Sequence, residues 1–445
     1  GKGGYKMNDN LIDQYSDPNN TPPWTQAIPL GLQHVLAMFA SNVTPAVIIA
    51  GAAGLAFGSS EQVYLIQMAM LFAGIATLFQ TMGVGFVGAR LPIMQGTSFA
   101  FVGVLAGVSA TQGLGVALTS CIVAGCLHFL LGSVIEKIRW LFPPLVTGLV
   151  ILSIGLYLVP VGIKYAAGGA ADFQMAAESF GSMKHWSVAL CVVIVALACK
   201  FFTKGAISNG AILIGLLAGY ILAYISGMVS FGSVAKASWF TVLQPIPYGI
   251  EFSLGAIIAV TLVSIVSAVE TVGDTSATTK AGAGRDATDK EISGATYADG
   301  LGTAVAGVFG GLPNTSFSQN VGIVGMTGIM SRHVVTVAGL ILVVCGLIPK
   351  IGGIIASMPL PVLGGGVIVM FGMVVSAGLN MLTEVKMNRR NMVIIAVSLS
   401  VGLGLNLVPS AVQYLPGIVK TLATSAVAPT AILAVFLNLV LPEDS

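Results

Sequence analysis

Pro144-Leu145-Val146-Thr147-Gly148-Leu149-Val150-Ile151, closed by Gly155, returns 217 positions later as Pro361-Val362-Leu363-Gly364-Gly365-Gly366-Val367-Ile368, closed by Gly372. A second echo has nearly the same offset: Thr97-Ser98-Phe99 recurs as Thr315-Ser316-Phe317. Two matches at almost one spacing indicate two copies of one structural unit. The surroundings of both are apolar. Of 445 residues 56% are hydrophobic and only 8% charged, with a mean hydropathy of +0.94, against roughly 25% charged in a soluble domain. The unit therefore belongs in lipid.

Apolar windows long enough to span, about 17 to 25 residues each, fall at 27–50, 62–84, 114–135, 142–162, 186–203, 208–227, 252–279, 332–350, 356–380, 390–408 and 417–441. Three shorter ones, 92–110, 296–311 and 312–328, are interrupted by Pro, Gly, Thr or Ser. Together they make about fourteen segments. The repeat offset spans seven, an odd number, so the second copy enters the membrane upside down, the inverted-repeat plan of secondary transporters. With the N-terminus inside, loops after even-numbered segments carry twelve Lys and Arg residues and the opposite loops five. The positive-inside rule then makes both termini cytoplasmic.

The net charge of +2 gives no reason to expect nucleic acid as a partner. Residues 1–26 read as a polar tail without the features of a signal peptide, and Gly1 to Lys6, ahead of Met7, as a cloning remnant. Cys121, Cys126, Cys191, Cys199 and Cys345 lie in apolar runs without ligand spacing, which suits packing and neither a disulfide framework nor a metal. Gly83-Val84-Gly85-Phe86-Val87-Gly88 spells GxGxxG but ends a span instead of opening a helix after a strand, so it is a loop.

Both Thr-Ser-Phe echoes follow a Leu-Pro, at Leu91-Pro92 and Leu312-Pro313. Proline has no N–H to give a helix, so each segment should enter extended and become a half-helix near Ser98 or Ser318. Extended backbone at membrane depth survives only where its polar groups face protein or a cavity. The two strands can pair with each other. Their half-helices would then aim free N–H groups at one central point, a binding site; simple packing kinks are the alternative.

Buried acids point to the same region. Glu270 and Asp274 lie four apart on one helical face, and Asp299 sits near the start of the next span. A carboxyl in mid-membrane is expensive and usually does a job; a packing hydrogen bond is the other reading, with most force for Asp274. Glu270 can exchange a proton and accept a hydrogen bond from a ligand. Gln319 and Asn320 offer donors and acceptors able to read the edge of a planar heterocycle, or could cap a helix. His34 can reach toward the site or be a satisfied interior histidine, His128 and His333 read as peripheral, and His185 falls in an outer loop.

Gln319-Asn320-Val321-Gly322-Ile323-Val324-Gly325-Met326-Thr327-Gly328 resembles the signature of the nucleobase-ascorbate transporter family at every constrained position. Gly31-Leu32-Gln33-His34, Glu270-Thr271-Val272-Gly273-Asp274, Ala298-Asp299-Gly300 and Pro313-Asn314-Thr315-Ser316-Phe317 resemble its segments in the same order. The resemblance covers about residues 27–441. It implies an all-α membrane protein of fourteen segments in two inverted sevens, segments 3 and 10 broken with short β-strands. A core domain (27–136 and 252–352) would move against a gate domain (137–251 and 353–441) in an elevator-like way, leaving 442–445 as a tail.

The resemblance also implies a homodimer in the bacterial cytoplasmic (inner) membrane, with protons as coupling ion and no other cofactor. Glu270 and Gln319 would hold a nucleobase and Phe99 and Phe317 sandwich or bond it, with Ser98 lining the pocket. Asp299, Asp274, Asn320 and His34 would support affinity or coupling. Gln at 319 and Asp at 274 are similar to the branch carrying xanthine and uric acid. Ser98 stands where xanthine-restricted members resemble one another in having Asn, which leaves uric acid open. Other nucleobase symporters and an anion carrier of the same architecture remain alternatives. A channel is less suited to interrupted helices, and no hydrolase constellation is present.

Overall fold

The computed structural model describes residues 15–169, 172–173, 175–425 and 427–444; the expected cloning remnant lies outside them. In chain order the main elements are α1 (Trp24–Ala52), α2 (Ser60–Thr81), β1 (Gln95–Thr97), α3 (Val102–Gln112), α4 (Leu114–Leu131), α5 (Pro144–Ala167), α6 (Met183–Phe202), α7 (Ala211–Ile225), α8 (Leu254–Ala283), α9 (Asp289–Val308), β2 (Asn314–Ser316), α10 (Ser318–Thr327), α11 (Arg332–Leu347), α12 (Leu360–Leu382), α13 (Arg389–Leu407) and α14 (Ala428–Val440). Among the described residues eight helices are long and apolar enough to cross a membrane, or ten if two sharply bent pairs each count as one. One pair is α11 and the helix Pro349–Ala356, turned through 80° where Pro349 cannot continue the hydrogen-bond ladder. The protein is a multi-pass membrane protein. Its outermost helices keep apolar residues exposed, such as Leu190 and Ile194 on α6 and Met392 and Val393 on α13, as lipid-facing surfaces do.

Where helices pack, glycine replaces side chain. Gly148, Gly155 and Gly162 of α5 meet Leu382, Val375 and Val367 of α12, while Gly364 and Gly378 of α12 press on the backbone at Ala166 and Leu152. Numbers climb along one helix as they fall along the other, so the two helices that begin with the repeated proline run antiparallel. Two further pairs use the same device. In α2 and α11, Gly74 abuts Gly339 and Gly346 abuts Leu71; in α4 and α9, Gly125 abuts Ala304 and Gly132 abuts Tyr297. Small residues allow the close backbone approach that drives helix association without a hydrophobic effect.

Two windows differ from the sequence expectation. The window 417–441, expected as one span, is divided into the helices Gly417–Ala423 and Ala428–Val440. The window 296–311, expected as a short interrupted segment, lies as far as Val308 in an unbroken helix, Asp289–Val308. Thr288 and Glu291 form a capping box there, and Arg285 grips Glu291 with two hydrogen bonds at 2.8 and 2.9 Å. The polar first turn hid the helix from hydropathy, and Asp299, expected near the start of a span, is mid-helix. The first described residues are also tied down. Met330 and Arg332 donate backbone N–H groups to the carbonyls of Tyr15 and Pro18, and Ser331 donates to Asn20 at 2.6 Å.

A Cβ on Gly378 would overlap the Leu152 backbone, whereas one on Gly372, a turn and a half away on the same helix, would meet nothing within 4 Å. Gly378→Val should cost about 1 to 3 kcal/mol by overpacking and lower the unfolding temperature in detergent. Gly372→Ala should leave that temperature unchanged or raise it.

Candidate functional site at the paired strands

β1 and β2 pair antiparallel, Gln95 opposite Ser316, Gly96 opposite Thr315 and Thr97 opposite Asn314. The pairing continues past the strands: Ser98 N–H donates to Pro313 at 3.0 Å and Phe317 N–H to Met94 at 2.9 Å. Each strand therefore satisfies the other's backbone where no water could. Gly96 is required by the closeness of this junction, since a Cβ there would lie 2.8 Å from both Met38 Cε and Phe317 Cζ.

Side chains then fasten each strand to its neighbours. Asn42 of α1 accepts from the Thr97 N–H at 2.8 Å and the Thr97 hydroxyl at 3.0 Å, and Gln95 N–H donates to Thr77 at 3.0 Å. On the other side α8 presents a polar stripe at positions spaced four and three, one helical face. Ser267 bonds Thr315 at 3.2 Å, Thr271 bonds Ser316 at 3.1 Å, and Asp274 accepts from Ser316 at 2.5 Å and Ser318 at 2.8 Å.

Glu270 flanks that stripe, one turn from both Ser267 and Asp274. It is half-buried, and among the described residues no hydrogen bond or ion pair engages its carboxylate. Gln319, next to the Ser318 that Asp274 holds, is exposed and its amide is likewise unengaged. Asn320 differs, being buried and donating to His34 O at 2.9 Å, with His34 Nδ1 at 3.1 Å. This bond joins α10 to α1 and leaves Gln319 as the member of the pair with a free amide. Phe317 packs with Val35, Met38 and Met94. Phe99 is half-buried, its ring 5.2 Å from Phe371 of α12 in edge-to-face contact. Ser98 is buried and caps the turn after β1, accepting from Ala100 N–H at 3.2 Å. Phe99, Ala100 and Gly103 share a small crevice with Ile154, Tyr157, Leu158 and Val427.

Asp299 is wholly buried and accepts from Gln95 Nε2 at 2.7 Å. Its second oxygen lies 3.6 Å from His128 Nε2. The expectation that His128 is peripheral is therefore wrong: only 1% of it is exposed. A signal was present, since Gly125, His128 and Gly132 share one helical face and glycines mark contact faces in membrane helices.

The arrangement is a junction of two paired strands, each followed by a short helix, held by Asp274 of α8 with Glu270 one turn away on the same helix. The family model described as "Permease family" matches residues 25–411. The chain belongs to that family, the nucleobase-ascorbate transporters. The permease is 37% identical over 441 residues to a putative purine permease of Clostridium perfringens, which covers 98% of this chain and 94% of that protein. It is 36% identical to a uric acid permease of Bacillus subtilis, covering 92% of this chain and 91% of that one. A xanthine permease of the same organism is 35% identical, covering 93% of each. In fold the permease is similar to the transmembrane domain of a cyanobacterial bicarbonate transporter, with a TM-score of 0.61 at 14% identity, covering 95% of this chain and 99% of that one.

Asp274→Ala would leave the Ser316 and Ser318 hydroxyls without their charged acceptor. Hydrogen bonds to charged groups contribute about 1.5 to 3 kcal/mol each, so the permease should lose roughly 2 kcal/mol or more of stability. Thermal unfolding of purified protein measures this, with Lys280→Ala, exposed on the same helix, expected to unfold like the parent.

Proposed function

We propose that the permease takes up xanthine, uric acid or both across the bacterial cytoplasmic membrane, coupled to protons. The observation that carries the reading is the unengaged Glu270 carboxylate, lying beside the polar stripe that locks β2 and α10 in place. Such an acid in mid-membrane must be compensated by what it binds. A purine N–H can donate to it, Gln319 can pair with an adjacent ring edge through its amide, and Phe99 and Phe317 can flank the flat ring. The relatives' names as purine, uric acid and xanthine permeases point to the same substrate class.

Proton exchange at Glu270 would supply coupling, with Asp274 and Asp299 fixing the strands and with Asn320 and His34 joining α10 to α1. Movement would be of a core (27–136 and 252–352) against a gate (137–251 and 353–441), as in an elevator. The edge-to-face contact of Phe99, in the core, with Phe371, in the gate, supports this reading, because it sets the two sets side by side next to the junction. Fourteen segments in two inverted sevens are supported by the antiparallel run of α5 on α12 and by α2 packing on α11 as α9 packs on α4. We include a homodimer with both termini cytoplasmic. An anion carrier of this architecture is less suited, since it would gain nothing from a free carboxylate beside its anion.

Ligand-dependent stabilisation should appear with xanthine or uric acid and be weaker with uracil. In proteoliposomes Glu270→Gln should cut proton-driven accumulation at least about tenfold, the cost of losing one charged hydrogen bond. Accumulation at the parental rate would remove Glu270 from the coupling step.

A further inference from the structure

Gln95, Asp299 and His128 are wholly or almost wholly buried and lie in line across three elements, β1, α9 and α4. Gln95 donates to Asp299 Oδ1 at 2.7 Å. Among the described residues Asp299 Oδ2 and His128 Nε2 are both buried without a hydrogen-bond partner, and they face each other at 3.6 Å. A distance of 3.6 Å is too long for a hydrogen bond, yet the helices that carry the two groups are already in backbone contact, Gly300 pressing on Phe129 and Gly125 on Ala304.

Burying one member of an ionic pair without the other is the costly case. An aspartate that accepts a single hydrogen bond from Gln95 is under-compensated, and the imidazole N–H is the group placed to complete it. We propose that His128 is a positioning residue of the permease. It donates Nε2–H to Asp299 and thereby holds Gln95, and with it the β1 strand, in the register on which the ligand junction depends. The inference rests on the reading of that junction as the purine site. Only 1% exposed, His128 acts through Asp299 and Gln95 and does not itself touch the ligand.

Two substitutions separate positioning from packing. Gln at 128 keeps an N–H near the Nε2 position, whereas Leu fills similar space without a donor. His128→Leu should weaken xanthine binding about tenfold or more, the equivalent of one hydrogen bond to a charged group, and His128→Gln should restore it to within about threefold of the parent on the same scale. On an Asp299→Asn background the Leu substitution should add less than about threefold, because coupled partners are not additive. Parental affinity in His128→Leu, or a Gln variant no better than Leu, would overturn the proposal. A readout independent of both ligand and folding of the Leu variant is the nitrogen-15 spectrum of labelled histidine. It should show an Nε2-bound proton on His128 that is displaced in Asp299→Asn, and an Nε2 without a proton would equally refute the assignment. Should the parent protein bind no purine while this proton is present, the functional reading fails and the His128–Asp299 bond stands.

Discussion

Extended backbone in an apolar medium must find a partner for every N–H and C=O, and in this permease the two extended segments find each other. The bonds between Gln95–Thr97 and Asn314–Ser316, with those from Ser98 and Phe317 at the ends, remove the cost that would otherwise exclude strands from membrane depth. Everything around the junction follows from making that pairing possible. Gly96 admits the Phe317 ring, Pro92 and Pro313 precede the strands so that no helix competes for the backbone, and α3 and α10 start only where the pairing ends.

Polar side chains in the interior are distributed by the same logic. Asn42, Thr77, Ser267, Thr271 and Asp274 each place at least one hydrogen bond on the strands. Fully satisfied networks in a low dielectric are strong and rigid, while an unsatisfied member is expensive. Among the described residues the Glu270 carboxylate and the Gln319 amide, both reached by solvent, take no part in these bonds, which is why the proposed purine site is built on them.

Much of this was legible in the sequence because it depends on residues that break rules locally. Leu-Pro followed by Thr-Ser-Phe announces a broken segment twice, and Glu270 and Asp274 announce themselves as acids in apolar runs. What stayed hidden depends on partners far away in the chain. The Asn320–His34 bond joins residues 286 apart, and Gln95 meets Asp299 across 204, distances over which no local pattern acts. The start of α9 was missed because its capping box is polar while the window method reads hydropathy. His128 was misplaced because one histidine in an apolar helix looks marginal until the glycines on its face reveal a neighbour.

The hydrogen bonds from Met330, Ser331 and Arg332 to Tyr15, Pro18 and Asn20 have a consequence for biosynthesis. Ser331 and Asn20 are 311 residues apart, and chains emerge and fold from their N-terminal end first. The first described residues therefore stay undocked, bonded to water, until the chain 311 residues further on has been made. Their seating is among the late steps of assembly, and protection of the Tyr15–Asn20 backbone from a protease would report that both halves of the permease have come together.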